Sequence, residues 1–167
     1  MALVLNSTPL IYLAKGSVLE LLEELPEKKI IPPLVHEEVV IKGKQRGATD
    51  AILIEKAVDK GAIERETIKD KKFLRALLKI PGLHRADAEV LAIARELKAT
   101  AVMDDEKARA VADLNGITNR GTVYLLLRLQ KLGLLTKREV KSKVDGMIKL
   151  GWRCSTAVYA EILEELR

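Results

Sequence analysis

The sequence predicts an α/β fold: three layers, α/β/α, around a doubly wound, mostly parallel sheet of four to five strands, with further helices at the C-terminus. Short apolar runs alternate with stretches of helical period along the whole chain, the pattern of a parallel sheet covered on both faces. The connections carry helix signals, with Thr, Ser or Asp before and Gly after. The 167 residues suit one domain over residues 1–167, since nothing resembling a repeat, low-complexity tract or long linker divides them. A chain of this size can bury roughly 70% of its unfolded surface.

Residues 2–5 are an apolar run that reads as the first strand. Asn6-Ser7-Thr8-Pro9 then turns the chain into a helix, with Thr8 the expected N-cap and Pro9 at the first helical position, where its missing N–H costs nothing. A second short helix over residues 18–25 ends at Pro26, and residues 29–31 form a second strand running into Pro32-Pro33. Residues 34–40 start a helix carrying Glu37 and Glu38. Ala51, Ile52, Ile54, Ala57 and Val58 make residues 48–60 amphipathic, and Gly61 closes that helix. Residues 62–66 suit an edge strand, and residues 70–79 are basic and partly helical.

The strongest helical pattern, residues 86–97, leads into Thr100-Ala101-Val102-Met103, a strand that ends abruptly in Asp104 and Asp105. A helix follows through Ala108, Val111, Ala112 and Leu114, terminated by Asn115-Gly116. Ile117-Thr118 reads as a short strand. Helices over residues 122–132 and 137–150 are closed by Gly133 and Gly151, and Ser155 caps a last helix over residues 156–166.

Apolar residues at 48% and charged ones at 32% describe a folded chain and argue against disorder. Cys154 is the single cysteine. It reads as a small core residue, and a lone thiol suits a reducing compartment, so a cytoplasmic location is expected. The N-terminal stretch lacks the basic start of a signal peptide, and no run approaches the ~20 apolar residues of a membrane span. The net charge of +5 favours polyanionic partners. With aromatics at 3%, phosphate contact is a better expectation than base stacking.

Asn6, Glu38, Asp87, Asp104 and Asp105 all fall just past a strand or in the first turn of a helix. Taken singly, each has a plain explanation as a cap or as a carboxylate favoured by the helix dipole. Right-handed crossovers, however, send every parallel strand to the same edge, where such side chains converge. Two carboxylates ~4 Å apart repel by about 4 kcal/mol at an effective dielectric of 20, so a cluster calls for a cation. Oxygen donors without Cys or a well-placed His select Mg²⁺ or Mn²⁺. His36 and His84, the only histidines, read as surface and loop residues. Arg109, one turn after Asp105, is placed to orient an aspartate, contact phosphate, or simply pair with Asp105 across the turn. Neither a P-loop, a dinucleotide fingerprint nor a nucleophile elbow is present.

The stretches LVLNSTPLIYLAK, IPPLVHEEVV, ADAEVLAIARELKATAVMDDEKARAVA, GITNRGTVYLLLRLQKLGLL and GWRCSTAVYAEILEEL, in this order and spacing, resemble the PIN-domain proteins. Within them the likeness is to a prokaryotic branch of uncharacterised, toxin-like nucleases, and it spans nearly the whole chain. The resemblance implies a metal-dependent ribonuclease, often the toxin of a toxin–antitoxin pair and often a homodimer. It puts the family's acids at Asn6, Glu38, Asp87, Asp104 and Asp105, with Asn6 in place of the usual Asp and so one formal charge fewer. Catalysis is expected of Asn6, Glu38, Asp87 and Asp105, and metal binding of Glu38, Asp87, Asp104 and Asp105. Glu37 and Glu89 stand in reserve. Thr8 and Thr122 match hydroxyl positions near the site and, with Arg109, are expected at the nucleic acid. The expected partners are RNA, a small antitoxin protein and a second copy of the chain. A nuclease-fold module that binds RNA or an antitoxin without hydrolysis is the rival reading, and a phosphatase-like hydrolase of small phosphates is a weaker third.

Overall fold

The computed structural model describes residues 1–167 and contains five strands in one sheet: β1 (Ala2–Leu5), β2 (Lys28–Ile31), β3 (Glu64–Arg65), β4 (Thr100–Val102) and β5 (Asn119–Arg120). Their spatial order is β3-β2-β1-β4-β5, and every neighbouring pair is parallel. The sheet is thus wholly parallel, as expected of strands buried on both faces. Leu3, Val4, Leu5, Ile31, Ala101 and Val102 are almost completely inaccessible.

Ten helices flank it: α1 (Ser7–Lys15), α2 (Pro33–His36), α3 (Gly43–Gln45), α4 (Thr49–Asp59), α5 (Lys71–Leu78), α6 (Arg85–Glu96), α7 (Glu106–Leu114), α8 (Thr122–Lys131), α9 (Lys137–Lys149) and α10 (Thr156–Glu165). A 3₁₀ turn spans Leu19–Glu24, and a π-helical segment, Glu37–Lys42, joins α2 to α3. The 46-residue apolar core reaches from β1 to α10. Helix α6 lies deepest within it, with an unbroken buried run from Ala86 to Ala94. No helix is long and apolar enough to cross a membrane.

Three local details differ from expectation. The cap of α1 is Asn6, whose Oδ1 accepts from the Ser7 N–H, and not Thr8. Strand pairing decides this: the Asn6 N–H still bonds the Val102 carbonyl at 3.0 Å, so the helix starts immediately after the last sheet residue. Strand β5 lies two residues later than expected, because Thr118 contributes its carbonyl to Ala101 while Ile117 turns into the core. Cys154 is only half-buried and packs against the core from its margin rather than within it.

The sheet positions the site. Register pairs Leu5 with Val102, and the Met103 N–H bonds the Arg120 carbonyl at 2.9 Å, so β1, β4 and β5 finish at one level. From β1 the chain winds outward through β2 and β3, then returns to β4 on the other side. The gap between β1 and β4 is therefore the point where winding reverses, the place where parallel sheets open a crevice.

Candidate active site

A cleft of about 400 Å³ occupies this position, and among its lining residues are Asn6, Glu38, Asp87, Asp104 and Asp105. Positions separated by up to 99 residues in sequence meet there because each follows a strand or opens a helix at the same edge. A larger hollow at the other end of the sheet, about 500 Å³, also gathers acids, but its Glu23, Glu27 and Glu64 are each paired with a cationic side chain.

Each acid is held differently. Asn6, 8% exposed, donates from Nδ2 to Asp87 Oδ1 at 2.6 Å, while its Oδ1 caps α1. Its amide therefore turns a donor, not an oxygen, toward the neighbouring carboxylate. Asp87, 4% exposed, also accepts the His84 N–H at 3.2 Å on Oδ2. Its pKa is raised: burial is the main cause and the charge of Asp105 adds to it, against the hydrogen bonds from Asn6 and His84. Glu38 rides on the π-helical segment and accepts the Ser7 hydroxyl at 2.5 Å. Single π turns recur where a helix must aim a functional side chain. Asp105 caps α7 by accepting the Ala108 N–H on Oδ1 at 2.8 Å, leaving Oδ2 without a protein donor.

Asp104 is the most constrained. Its Oδ1 accepts the Thr122 N–H at 2.7 Å, and its Oδ2 accepts both the Thr122 hydroxyl at 2.5 Å and the Trp152 indole N–H at 3.0 Å. Gly121 makes this approach possible, since a Cβ there would sit 3.0 Å from Asp104 Oδ1.

The expected nucleic-acid residues separate. Thr8 is half-buried in the cleft lining. Arg109 is exposed and donates from Nε to Asn119 Oδ1 at 2.9 Å, so the expected turn-to-turn pair with Asp105 is not formed. Thr122 is completely buried with its hydroxyl on Asp104, so it faces no nucleic acid. The reserves lie apart from the chemistry: Glu37 pairs with Lys42 at 3.4 Å, and Glu89 accepts the Leu34 N–H at 3.0 Å. Ser7, His84 and Trp152 were not foreseen here. Ser7 adjoins Asn6, and Trp152 is the only tryptophan of the chain, but neither fact alone points to this cleft.

None of the four carboxylates has an ion-pair partner, although Lys and Arg outnumber Asp and Glu by 29 to 24. No three acidic, His or Cys side chains are drawn close enough to form a ready metal-binding cluster. The donors nevertheless fit a hard divalent cation: they are oxygens, uncompensated in charge, with Asp87 and Asp105 electrostatically coupled across the cleft.

An all-parallel α/β protein with an acidic cleft at its winding reversal is the class that fold and site define. The chain belongs to the PIN-domain family, whose model matches residues 2–167. A crystal structure of a Pyrobaculum aerophilum protein, PAE2754, is similar in fold, with a TM-score of 0.56 at 17% identity, covering 78% of this chain and 98% of that one. No curated protein matches the chain. PIN domains are generally nucleases that use divalent metal ions, and this membership supports a nuclease-type function.

Proposed function

We propose that the protein is a Mg²⁺- or Mn²⁺-dependent endoribonuclease that hydrolyses RNA phosphodiester bonds and acts as the toxin of a toxin–antitoxin pair. The observation that carries the hydrolytic reading is the set of unpaired carboxylates around one cleft of a nuclease family's fold. The toxin role, a small antitoxin partner and a homodimer rest on resemblance to toxin-like relatives. The basic charge balance suits RNA.

Glu38, Asp87 and Asp105 would hold the cation. A cation bound there supplies a water of lowered pKa as nucleophile and offsets charge on the phosphate. Asn6 and the His84 N–H keep Asp87 in place, and Ser7 does the same for Glu38. Asp104, held by Thr122 and Trp152, would join these ligands through Oδ1, which accepts only the Thr122 N–H and keeps a free lone pair. Arg109, fixed at Nε, has its terminal nitrogens free of protein partners and suited to phosphate. Thr8, in the cleft lining, would offer its hydroxyl to backbone phosphate or ribose.

Incubation of the protein with single-stranded and structured RNA plus Mn²⁺ tests the reading. Cleavage by the parent should fall at least about 100-fold in Asp87→Asn and Asp105→Asn, the scale on which loss of groups acting on developing charge is felt. Equal cutting by these variants would refute the site. For the toxin role, induced expression should arrest growth and Asp105→Asn should not.

One observation favours a second reading. The Asn6 amide already satisfies one oxygen of Asp87, which suits a module that binds RNA or an antitoxin without hydrolysis. Calorimetric titration with Mn²⁺ separates the two: heat of binding together with cleavage supports the enzyme, and neither supports the module.

A further inference from the structure

Trp152 is the only tryptophan of the chain, and nothing in phosphodiester hydrolysis requires an indole. It stands directly behind α9, where Gly151 at φ +102° turns the backbone and the Trp152 N–H bonds the Met147 carbonyl at 2.9 Å. Its side chain is 7% exposed and reaches a carboxylate 48 positions earlier. Apolar burial alone would be met by Phe or Leu. The indole adds a single donor with no acceptor character, and here that donor is given to a carboxylate oxygen, a charge-assisted bond.

The geometry on Asp104 shows what this donor adds. Both bonds from Thr122 come from one residue and leave the carboxylate hinged on it. The third bond comes from a different element and puts a second donor on Oδ2. Burial and the charge of Asp104 push the Cys154 thiol up, consistent with residues 152–154 lying along this aspartate. The Tyr159 hydroxyl donates to Asp145 Oδ1 at 2.6 Å and ties α10 back to α9, so the C-terminal helices carry Trp152 as one unit.

We propose that Trp152 is a positioning residue for the cation site: its indole N–H locks the Asp104 carboxylate in the rotation that the cleft needs, coupling the C-terminal helix pair to metal affinity. The inference rests on the divalent-cation reading of the cleft. Trp152→Phe keeps an aromatic ring and removes the donor. Loss of a hydrogen bond behind a metal ligand typically costs about 10- to 100-fold in affinity.

Free Mn²⁺, followed by electron paramagnetic resonance during titration of the full chain, should show Trp152→Phe binding about 10- to 100-fold more weakly than the parent. Its kcat on RNA should fall with KM unchanged, and its thermal midpoint should stay within a few degrees. A second measurement needs no variant: the parent's single indole ¹⁵N–¹H resonance should shift when Mg²⁺ is titrated. Equal Mn²⁺ affinity in the variant, an indole signal unmoved by saturating Mg²⁺, or a parent that binds no Mn²⁺ would each overturn the proposal. Weakened Mn²⁺ binding in a protein that cuts no RNA would sink the nuclease reading and leave the positioning role standing.

Discussion

The two ends of the parallel sheet treat charge in opposite ways. Where the strands begin, Arg128 clasps Glu27 with bonds of 2.6 and 3.2 Å, Lys28 pairs with Glu64 at 3.6 Å, and Lys60 pairs with Glu23. Even buried Lys29 gives its ammonium to the Leu25 carbonyl at 2.6 Å. Where the strands finish, Glu38, Asp87, Asp104 and Asp105 meet no cationic side chain. The pKa directions diverge accordingly. Burial would raise that of Glu27, but the hydrogen bond and charge of Arg128 outweigh it and the net shift is downward. For Asp87, burial and the charge of Asp105 outweigh the hydrogen bonds from Asn6 and His84 and the charge of His84, and its pKa rises. One end pairs its acids with cationic side chains, whereas the other holds its four carboxylates by hydrogen bonds alone.

Asn6→Asp should disturb this contrast most. It replaces a donor on Asp87 with a second carboxylate, and in chelator the variant should lose up to about 4 kcal/mol in urea unfolding, the repulsion of two such charges ~4 Å apart at an effective dielectric of 20. Mn²⁺ should restore most of that loss. A variant as stable as the parent without metal would mean that the carboxyl edge is not charge-strained.

Next in size is the effect of the cation itself. Mn²⁺ at a hundredfold its Kd should stabilise the parent by about 2.7 kcal/mol. Glu27→Gln, at the opposite end, should gain as much, and Asp105→Asn far less. Thermal melts with and without Mn²⁺ decide it, and a uniform gain across all three would erase the distinction between the ends.

Arg128→Met should cost about 1–2 kcal/mol, because the pair is partly buried and Glu27 is left without its partner. Mn²⁺ affinity and RNA cleavage should not change.

The smallest effect is a difference in sign. A lowered Glu27 pKa contributes stability that is fully present above 4.5, its ordinary value, and is lost as pH falls through the folded-state value. The advantage of the parent over Glu27→Gln should therefore shrink on acidification. A raised Asp87 pKa works the other way: its penalty is absent below 3.8 and appears as pH rises through the folded-state value. Relative to Asp87→Asn, the parent should lose ground as pH rises in metal-free buffer. Denaturant unfolding between pH 3 and 7 reads both slopes, and parallel slopes would contradict the contrast.

The sheet was legible in the sequence because its strands are short apolar runs closed by turn residues, and period alone separates them from the helices. The acids were legible for a related reason: in a parallel sheet, chain order fixes the edge, so Asn6, Asp104 and Asp105 had to share one. What sequence could not decide were choices settled by distant partners. Asn6, Ser7 and Thr8 are all competent caps, and only the bond from Asn6 N–H to Val102 selects the first. Thr122 carries a hydroxyl fit for phosphate, yet its complete burial against Asp104 is a property of the folded β5–α8 turn. The bond from Trp152 to Asp104 spans 48 positions with no periodic signature. The π-helical turn under Glu38 leaves no mark in hydrophobic pattern either, since Val39 and Val40 are buried as an ordinary helix would bury them.

The outermost strands, β3 and β5, have only two residues each. A rung that short exposes too few free N–H and C=O groups to template another strand, so the sheet is protected at both sides from edge-to-edge growth. Copies of this protein are thereby kept from joining their sheets edge to edge, and misassembly into extended β-structure would first require the fold to come apart.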